Sequence, residues 1–151
     1  ENLAVGSKVY PDDRLFEALK FAGLDKVVSA TTQGLDLEIQ DGGEGLSVGQ
    51  RAAVGLARVH LQDPALVLLD EPTAAMDSRA EAMFVERFAT WLEGRGAIVC
   101  THRLPLIDAV ENVMVLSGGR VIGAGPKKDV LSQFTRTASG QDPARLIREV
   151  S

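Results

Sequence analysis

With 151 residues, 45% hydrophobic and 25% charged, the chain has ordinary globular composition and is long enough for one domain with a buried core. Its net charge of -5 argues against a surface that coats nucleic acid, while leaving room for a local nucleotide pocket. Its longest apolar run, Ala65–Leu69, falls far short of a membrane span, and the single cysteine, Cys100, excludes an internal disulfide and fits a reducing, cytoplasmic setting. No basic-then-apolar leader opens the chain, and a start at Glu1 reads as a piece of something longer.

Glu1–Tyr10 shows no clear period. Pro11, Asp12 and Asp13 carry helix-start chemistry, and Leu15, Phe16, Leu19 and Ala22 share one helical face before Gly23 stops it. A short second helix is expected over Asp25–Ser29. Thr31–Gly45 is polar and glycine-rich with Leu35, Leu37 and Ile39 alternating, which predicts a loop or a weak strand. Ser47 and Gln50 have the spacing of a capping box, opening a helix that runs on over Arg51–Gln62 with Val54, Ala57 and Leu61 on its stripe. Such a helix start offers free N–H groups and a positive dipole end, and the flanking glycines (Gly42, Gly43, Gly45, Gly49) allow an anion such as a terminal phosphate to approach.

Ala65–Leu69, bounded by Pro64 and Pro72, predicts a strand buried on both faces, as in a parallel sheet. Ligands of open α/β sheets sit beyond the carboxyl ends of strands, where Asp70 and Glu71 stand. Two adjacent acids there are costly unless something positive meets them, and Mg²⁺ on a nucleotide would do so. Alone, the pair could equally be a helix cap and a surface charge. Ser78 and Glu81 have the spacing of a second capping box, starting a helix that buries Phe84, Phe88, Trp91 and Leu92 and ends near Gly94–Gly96. Ala97–Cys100 reads as a second apolar strand with Thr101-His102 at its exit. Val113–Leu116 and Val121–Ala124 flank a glycine turn and predict a hairpin. Gly125-Pro126 is expected to open a short helix to about Ser132, and Thr135–Gly140 reads as a linker. Asp142 and Pro143 start a last helix carrying Arg145, Arg148 and Glu149, with the arginines on a solvated face. His60 reads as a solvated helix residue. Cys100 reads as a buried strand cysteine rather than a thiol partner of His102.

Leu46-Ser47-Val48-Gly49-Gln50, a strand ending in Asp70-Glu71-Pro72-Thr73, and His102 closing a later strand together form a specific constellation. It resembles the ATPase domain of ATP-binding cassette (ABC) proteins over nearly the whole chain. The resemblance implies an α/β fold: part of a P-loop ATPase core, on the Walker B side of a mostly parallel sheet, with part of the helical subdomain and a C-terminal hairpin and helices. It divides the chain into 1–63 (end of the helical subdomain, with the signature loop), 64–134 (Walker B, D-loop and switch-histidine side of the core) and 135–151 (linker and helix). It implies ATP and Mg²⁺ as cofactors, with Asp70 holding Mg²⁺ directly or through water, Glu71 orienting or deprotonating the attacking water, and His102 contacting the γ-phosphate. Ser47, Val48, Gly49 and Gln50 would be the signature loop completing the opposite subunit's site, and Asp77 the D-loop residue coupling two sites. The signature usually has glycine where Val48 stands.

The phosphate-loop motif G-x-x-x-x-G-K-[ST] needs a lysine directly after a glycine, and none of Lys8, Lys20, Lys26, Lys127 or Lys128 follows one. The family's upstream glutamine loop is missing too. The expectation is therefore the second half of a cassette, inactive alone. Its sheet should show a gap, a rearrangement, or a strand-swapped fragment dimer, because the absent strand leaves two edges facing an empty slot. The Gly34–Gly45 approach, Met76-Asp77 and the Gly118-Gly119-Arg120 hairpin are similar to bacterial type I secretion exporters. That implies ATP-driven transport at the cytoplasmic face of the inner membrane. The implied partners are a second nucleotide-binding domain, head to tail, and a transmembrane domain, with no nucleic acid. Two alternatives stand: a soluble cassette ATPase of DNA repair or translation, or an interaction module that kept the fold and lost catalysis.

Overall fold

The computed structural model describes residues 2–4 and 8–137, and the chain divides after Val99 into two units. In the first, α1 (Asp12–Ala22) follows Pro11, carries two acids in its first turn and stops at Gly23 in the left-handed conformation. Its buried residues are Ala18, Leu19, Phe21 and Ala22, whereas Phe16, expected on that face, is exposed. Helix α2 (Asp25–Ser29) forms as expected. Of the two readings of 31–45 the loop holds, and no strand forms there. Two 3₁₀ turns, Gly34–Asp36 and Asp41–Gly43, replace it, because Gly34 and Gly42–Gly43 take positive φ and break an extended path. Leu35, Leu37 and Ile39 instead line an apolar cavity of about 110 Å³ with Leu15, Leu19 and Val54.

Helix α3 (Val48–Gln62) buries Ala53, Leu56, Ala57 and Leu61. It ends at Asp63, whose left-handed backbone is held by Arg95: the guanidinium donates to the Asp63 carboxylate at 2.6 Å and lies 4.8 Å over the Trp91 ring. That hydrogen bond, then the Arg95 charge, holds the Asp63 carboxyl below the usual range. Helix α4 (Ser78–Trp91) completes the layer, with Phe84 T-shaped on Phe21 at 5.6 Å and stacked on Phe88 at 5.4 Å. Arg87 of α4 donates to the carbonyls of Lys20 and Phe21, satisfying the end of α1.

His60, expected to be solvated, is half-buried. Its ring lies 4.7 Å from Phe21 and 6.1 Å from Trp91, with Nδ1 buried. Burial, then the Arg14 charge, lowers its pKa below the ordinary 6.5, with Arg95 adding and Glu17 and Asp63 opposing. The folded chain therefore favours neutral imidazole, and the unfolded chain takes up the proton first as pH falls. The His60 contribution to stability is whole above the unfolded value, about 6.5, and is lost as pH falls below it. The urea midpoint of the chain should drop between about pH 7 and 5.5, and less steeply in His60→Phe. Equal slopes in the two proteins would remove His60 as the cause.

Strands β1 (Leu66–Asp70) and β2 (Gly96–Cys100) are neighbours, and the Gly96 N–H donates to the Ala65 carbonyl at 2.9 Å. The start of one strand lies against the start of the other, so they run parallel, joined by α4 as a crossover. The expectation of burial on both faces fails: Val67 is buried, but Leu66 is 57% and Leu68 69% exposed, and Ile98 opens to the same side. Cys100 is likewise exposed rather than buried. The apolar run states what both faces require, while the residues described cover only one.

In the second unit, α5 (Leu104–Asp108) buries Leu106 and Ile107. Antiparallel β3 (Asn112–Ser117) and β4 (Arg120–Pro126) form the expected hairpin around Gly118-Gly119, both at positive φ, with a bulge between Val115 and Leu116. The helix expected after Gly125-Pro126 forms as α6 (Lys127–Thr137), with Pro126 itself closing β4, and it runs past Ser132 into the stretch expected to be linker. Val130 and Phe134 pack on the bare Cα of Gly123. The helix expected from Asp142-Pro143 lies outside the described residues. The strands form two separate two-stranded sheets, so no regular unbroken sheet exists among the described residues.

Candidate functional site

The start of α3 is built by its own sequence. The Ser47 N–H donates to the Gln50 side-chain oxygen at 2.8 Å and the Gln50 N–H to Ser47 Oγ at 3.1 Å, a complete reciprocal cap. Arg51 reaches back to the Leu46 carbonyl and lies over Gly43, where a Cβ would meet its side chain at 2.6 Å. Val48 is the first helical residue, exposed, and not among the positive-φ residues, so the position demands no glycine freedom. Gly49 differs. A Cβ there would stand 2.7 Å from the Ala75 carbonyl oxygen, a backbone atom with no easy escape. The glycine therefore lets α3 press against Ala75, not only leave room for an anion.

That contact brings two of the marked segments together. Ser47, Gly49 and Gln50 share a groove of about 360 Å³ with Ala75, Met76 and Asp77. Asp77 is the N-cap of α4, accepting from the Ala80 N–H at 2.8 Å. The second capping box is thus overturned: Asp77, not Ser78, caps the helix. Glu81 turns inward and accepts from Thr73 Oγ1 at 2.6 Å. The short polar side chain of either Asp77 or Ser78 could cap, and only the buried Thr73 hydroxyl, a tertiary neighbour, decides between them.

Asp70 and Glu71 leave β1 beside this turn, Asp70 exposed and Glu71 half-buried, and neither lines the groove. Glu71 sits at φ 42, one of two non-glycine residues at positive φ among those described. Left-handed backbone is uncommon for such a residue and gathers at functional positions. The Ala74 N–H donates to the Glu71 carbonyl at 3.1 Å and the Met76 N–H to the Thr73 carbonyl at 2.9 Å, folding Glu71–Met76 into successive tight turns. His102 belongs to the second unit and is exposed, preceded by Thr101, whose hydroxyl accepts from the Arg103 N–H at 3.1 Å. No group of three or more His, Cys, Asp or Glu among the described residues could cage a metal. A single carboxylate such as Asp70 fits Mg²⁺ that arrives on phosphates and keeps its waters, rather than an all-protein site. Two signals were missed in the sequence, the Glu71 backbone and the inward Glu81, since neither is a matter of residue type.

This capped helix pressed on a strand-exit turn, in an α/β setting, agrees with the ABC-type ATPase domain that the motifs resemble. The chain belongs to the ABC transporter family, as a segment of its ATPase domain: a family model described as ABC transporter matches residues 6–74. It is 34% identical over 133 residues to an uncharacterized ABC transporter ATP-binding protein of Bacillus subtilis (strain 168), covering 88% of this chain and 22% of that protein. It is 36% identical over 121 residues to an ATP-dependent lipid A-core flippase of Burkholderia pseudomallei (strain 1710b), covering 80% and 20%. Among solved structures, a bacterial Atm1-family ABC exporter with ATP bound superposes at a TM-score of 0.83 with 26% identity, covering 99% of this chain and 26% of that one. The chain thus spans about a quarter or less of the relatives it matches. No helix among the described residues is long and apolar enough to cross a membrane.

Proposed function

We propose that the chain is the C-terminal part of the nucleotide-binding domain of an ABC exporter, which couples ATP binding and hydrolysis to transport across the bacterial inner membrane from its cytoplasmic face. The observation that carries the reading is the groove shared by the Ser47–Gln50 cap and the Ala75–Asp77 turn, closed by the Gly49 contact. Free N–H groups at the exposed start of α3 suit a terminal phosphate. Because Asp70 and Glu71 lie outside that groove, the Ser47, Val48, Gly49 and Gln50 end is best placed to serve a second nucleotide-binding domain's ATP, head to tail, with Asp77 between the two sites.

Within one site, Mg²⁺ supplies charge neutralisation on the phosphates when bound. Asp70 holds its hydration shell or the ion itself. Glu71 orients the attacking water and takes its proton, from a backbone held at φ 42 just past the end of β1. His102 meets the γ-phosphate end. Residues 1–63 serve as the helical subdomain and 64–134 as the Walker B side of the core. Without the phosphate loop the chain alone is inactive. A fused transmembrane domain is the remaining partner, and the Gly34–Gly45 approach with the Gly118-Gly119-Arg120 turn supports the type I secretion branch. A second reading, a lipidic cargo, is favoured by the flippases among the relatives.

Asp70→Asn in the full-length protein tests the ion's place. The Mg²⁺ concentration for half-maximal ATPase should rise about tenfold or more, with the fold unchanged. An unaltered Mg²⁺ titration removes Asp70 from the metal and weakens the reading as a whole.

A further inference from the structure

Thr73 and Glu81 are the buried polar side chains of the described core, 0% and 4% exposed, and the Thr73 hydroxyl donates to the Glu81 carboxyl at 2.6 Å. Burying such a pair far from water is costly, and a turn could be closed by apolar residues at less expense. What the pair joins explains its presence. Thr73 lies two residues beyond Glu71, and its carbonyl receives the Met76 N–H, while the Glu71 carbonyl receives that of Ala74. Glu81 stands on the first turn of α4, its own N–H bonded to the Asp77 carbonyl at 2.9 Å. One hydrogen bond therefore spans the link between Glu71 and Asp77, across a segment that also holds Ala75 against Gly49.

We propose that Thr73 and Glu81 are positioning residues for ATP hydrolysis: their buried hydrogen bond sets the turn that holds Glu71 in its left-handed conformation and Asp77 at the head of α4. Neither touches nucleotide. The inference rests on the catalytic role given to Glu71. Releasing the turn lets the Glu71 backbone relax toward ordinary φ, which swings the carboxylate by a distance that matters to a water held for in-line attack. The start of α3, where phosphate would bind, is held by its own Ser47–Gln50 cap, so affinity should suffer less than turnover.

The test uses the full-length protein with kcat and KM for ATP, normalised to folded enzyme. Thr73→Val should lower kcat about ten- to hundredfold with KM within about twofold, and Thr73→Ser should restore it. Should Thr73→Val fail to fold, Thr73→Val/Glu81→Leu removes both polar partners, regains the fold and still turns over slowly. Full kcat in the double variant, or a loss in Thr73→Val matched by unfolding alone, overturns the proposal. Glu71→Gln in parallel separates the two failures. An active Glu71→Gln enzyme sinks the catalytic reading, whereas an inactive one beside an unimpaired Thr73→Val sinks only the positioning role.

Discussion

Glu71→Gln in the full-length protein is expected to cut kcat for ATP by about 10²–10⁴, the usual contribution of a positioned general base, while equilibrium ATP affinity stays within about threefold. That loss corresponds to about 3–5 kcal/mol of barrier. The amide has the size and hydrogen-bonding reach of the carboxylate but cannot take a proton from water. Glutamine at φ 42 bears the same backbone cost as glutamate, so the exchange isolates the proton-accepting role from the strain. The proposed head-to-tail pairing predicts that ATP-bound dimers then accumulate. Steady-state turnover and equilibrium nucleotide binding, read on one preparation, decide the matter. Turnover within tenfold of the unaltered protein would take Glu71 out of the chemistry.

Phe84→Ala should cost the 151-residue chain about 3–5 kcal/mol, against a total of about 5–15 kcal/mol for a domain of this size. Phe84 is 1% exposed, stacked on Phe88 and edge-on to Phe21, and it forms part of the groove wall beneath Ala75–Asp77. Helix α4 cannot collapse into the space left behind, because its head is fixed by the Asp77 cap and its later turns by Arg87 on the end of α1. Urea unfolding measures the difference directly. Phe16→Ala is the comparison: on the exposed side of α1 it should stay within about 1 kcal/mol. Similar losses at both positions would mean that the aromatic cluster is not the organising core.

Features set by near neighbours in the chain were legible in the residues. The Ser47–Gln50 cap, the Gly23 stop and the Gly118-Gly119 turn depend on side chains or torsions within a few positions, and each forms as its sequence implies. Features decided across the fold were not. Spacing made Ser78 and Glu81 a capping pair, but Glu81 found a buried hydroxyl instead, and Asp77 took the cap. The residues of 31–45 left loop and weak strand open, and glycine torsions decided for the loop, whose Leu35, Leu37 and Ile39 line a cavity. His60 had polar company in sequence and aromatic company in space. Of the candidate site, the residue types at Asp70, Glu71, Asp77 and His102 were apparent from motif order. The left-handed turn at Glu71 and the seat of Gly49 against Ala75 were invisible, because no residue type announces them.

The uncovered side of β1 and β2 bears on how such a chain survives in a cell. Leu66, Leu68 and Ile98 form a greasy ribbon on a two-stranded sheet whose outer borders carry unspent hydrogen-bonding groups, a template on which further strands can grow. Until neighbouring polypeptide covers that ribbon, it is the stretch where aggregation is expected to begin. The order in which the flanking parts of the proposed cassette emerge and dock should then bear on the yield of folded protein.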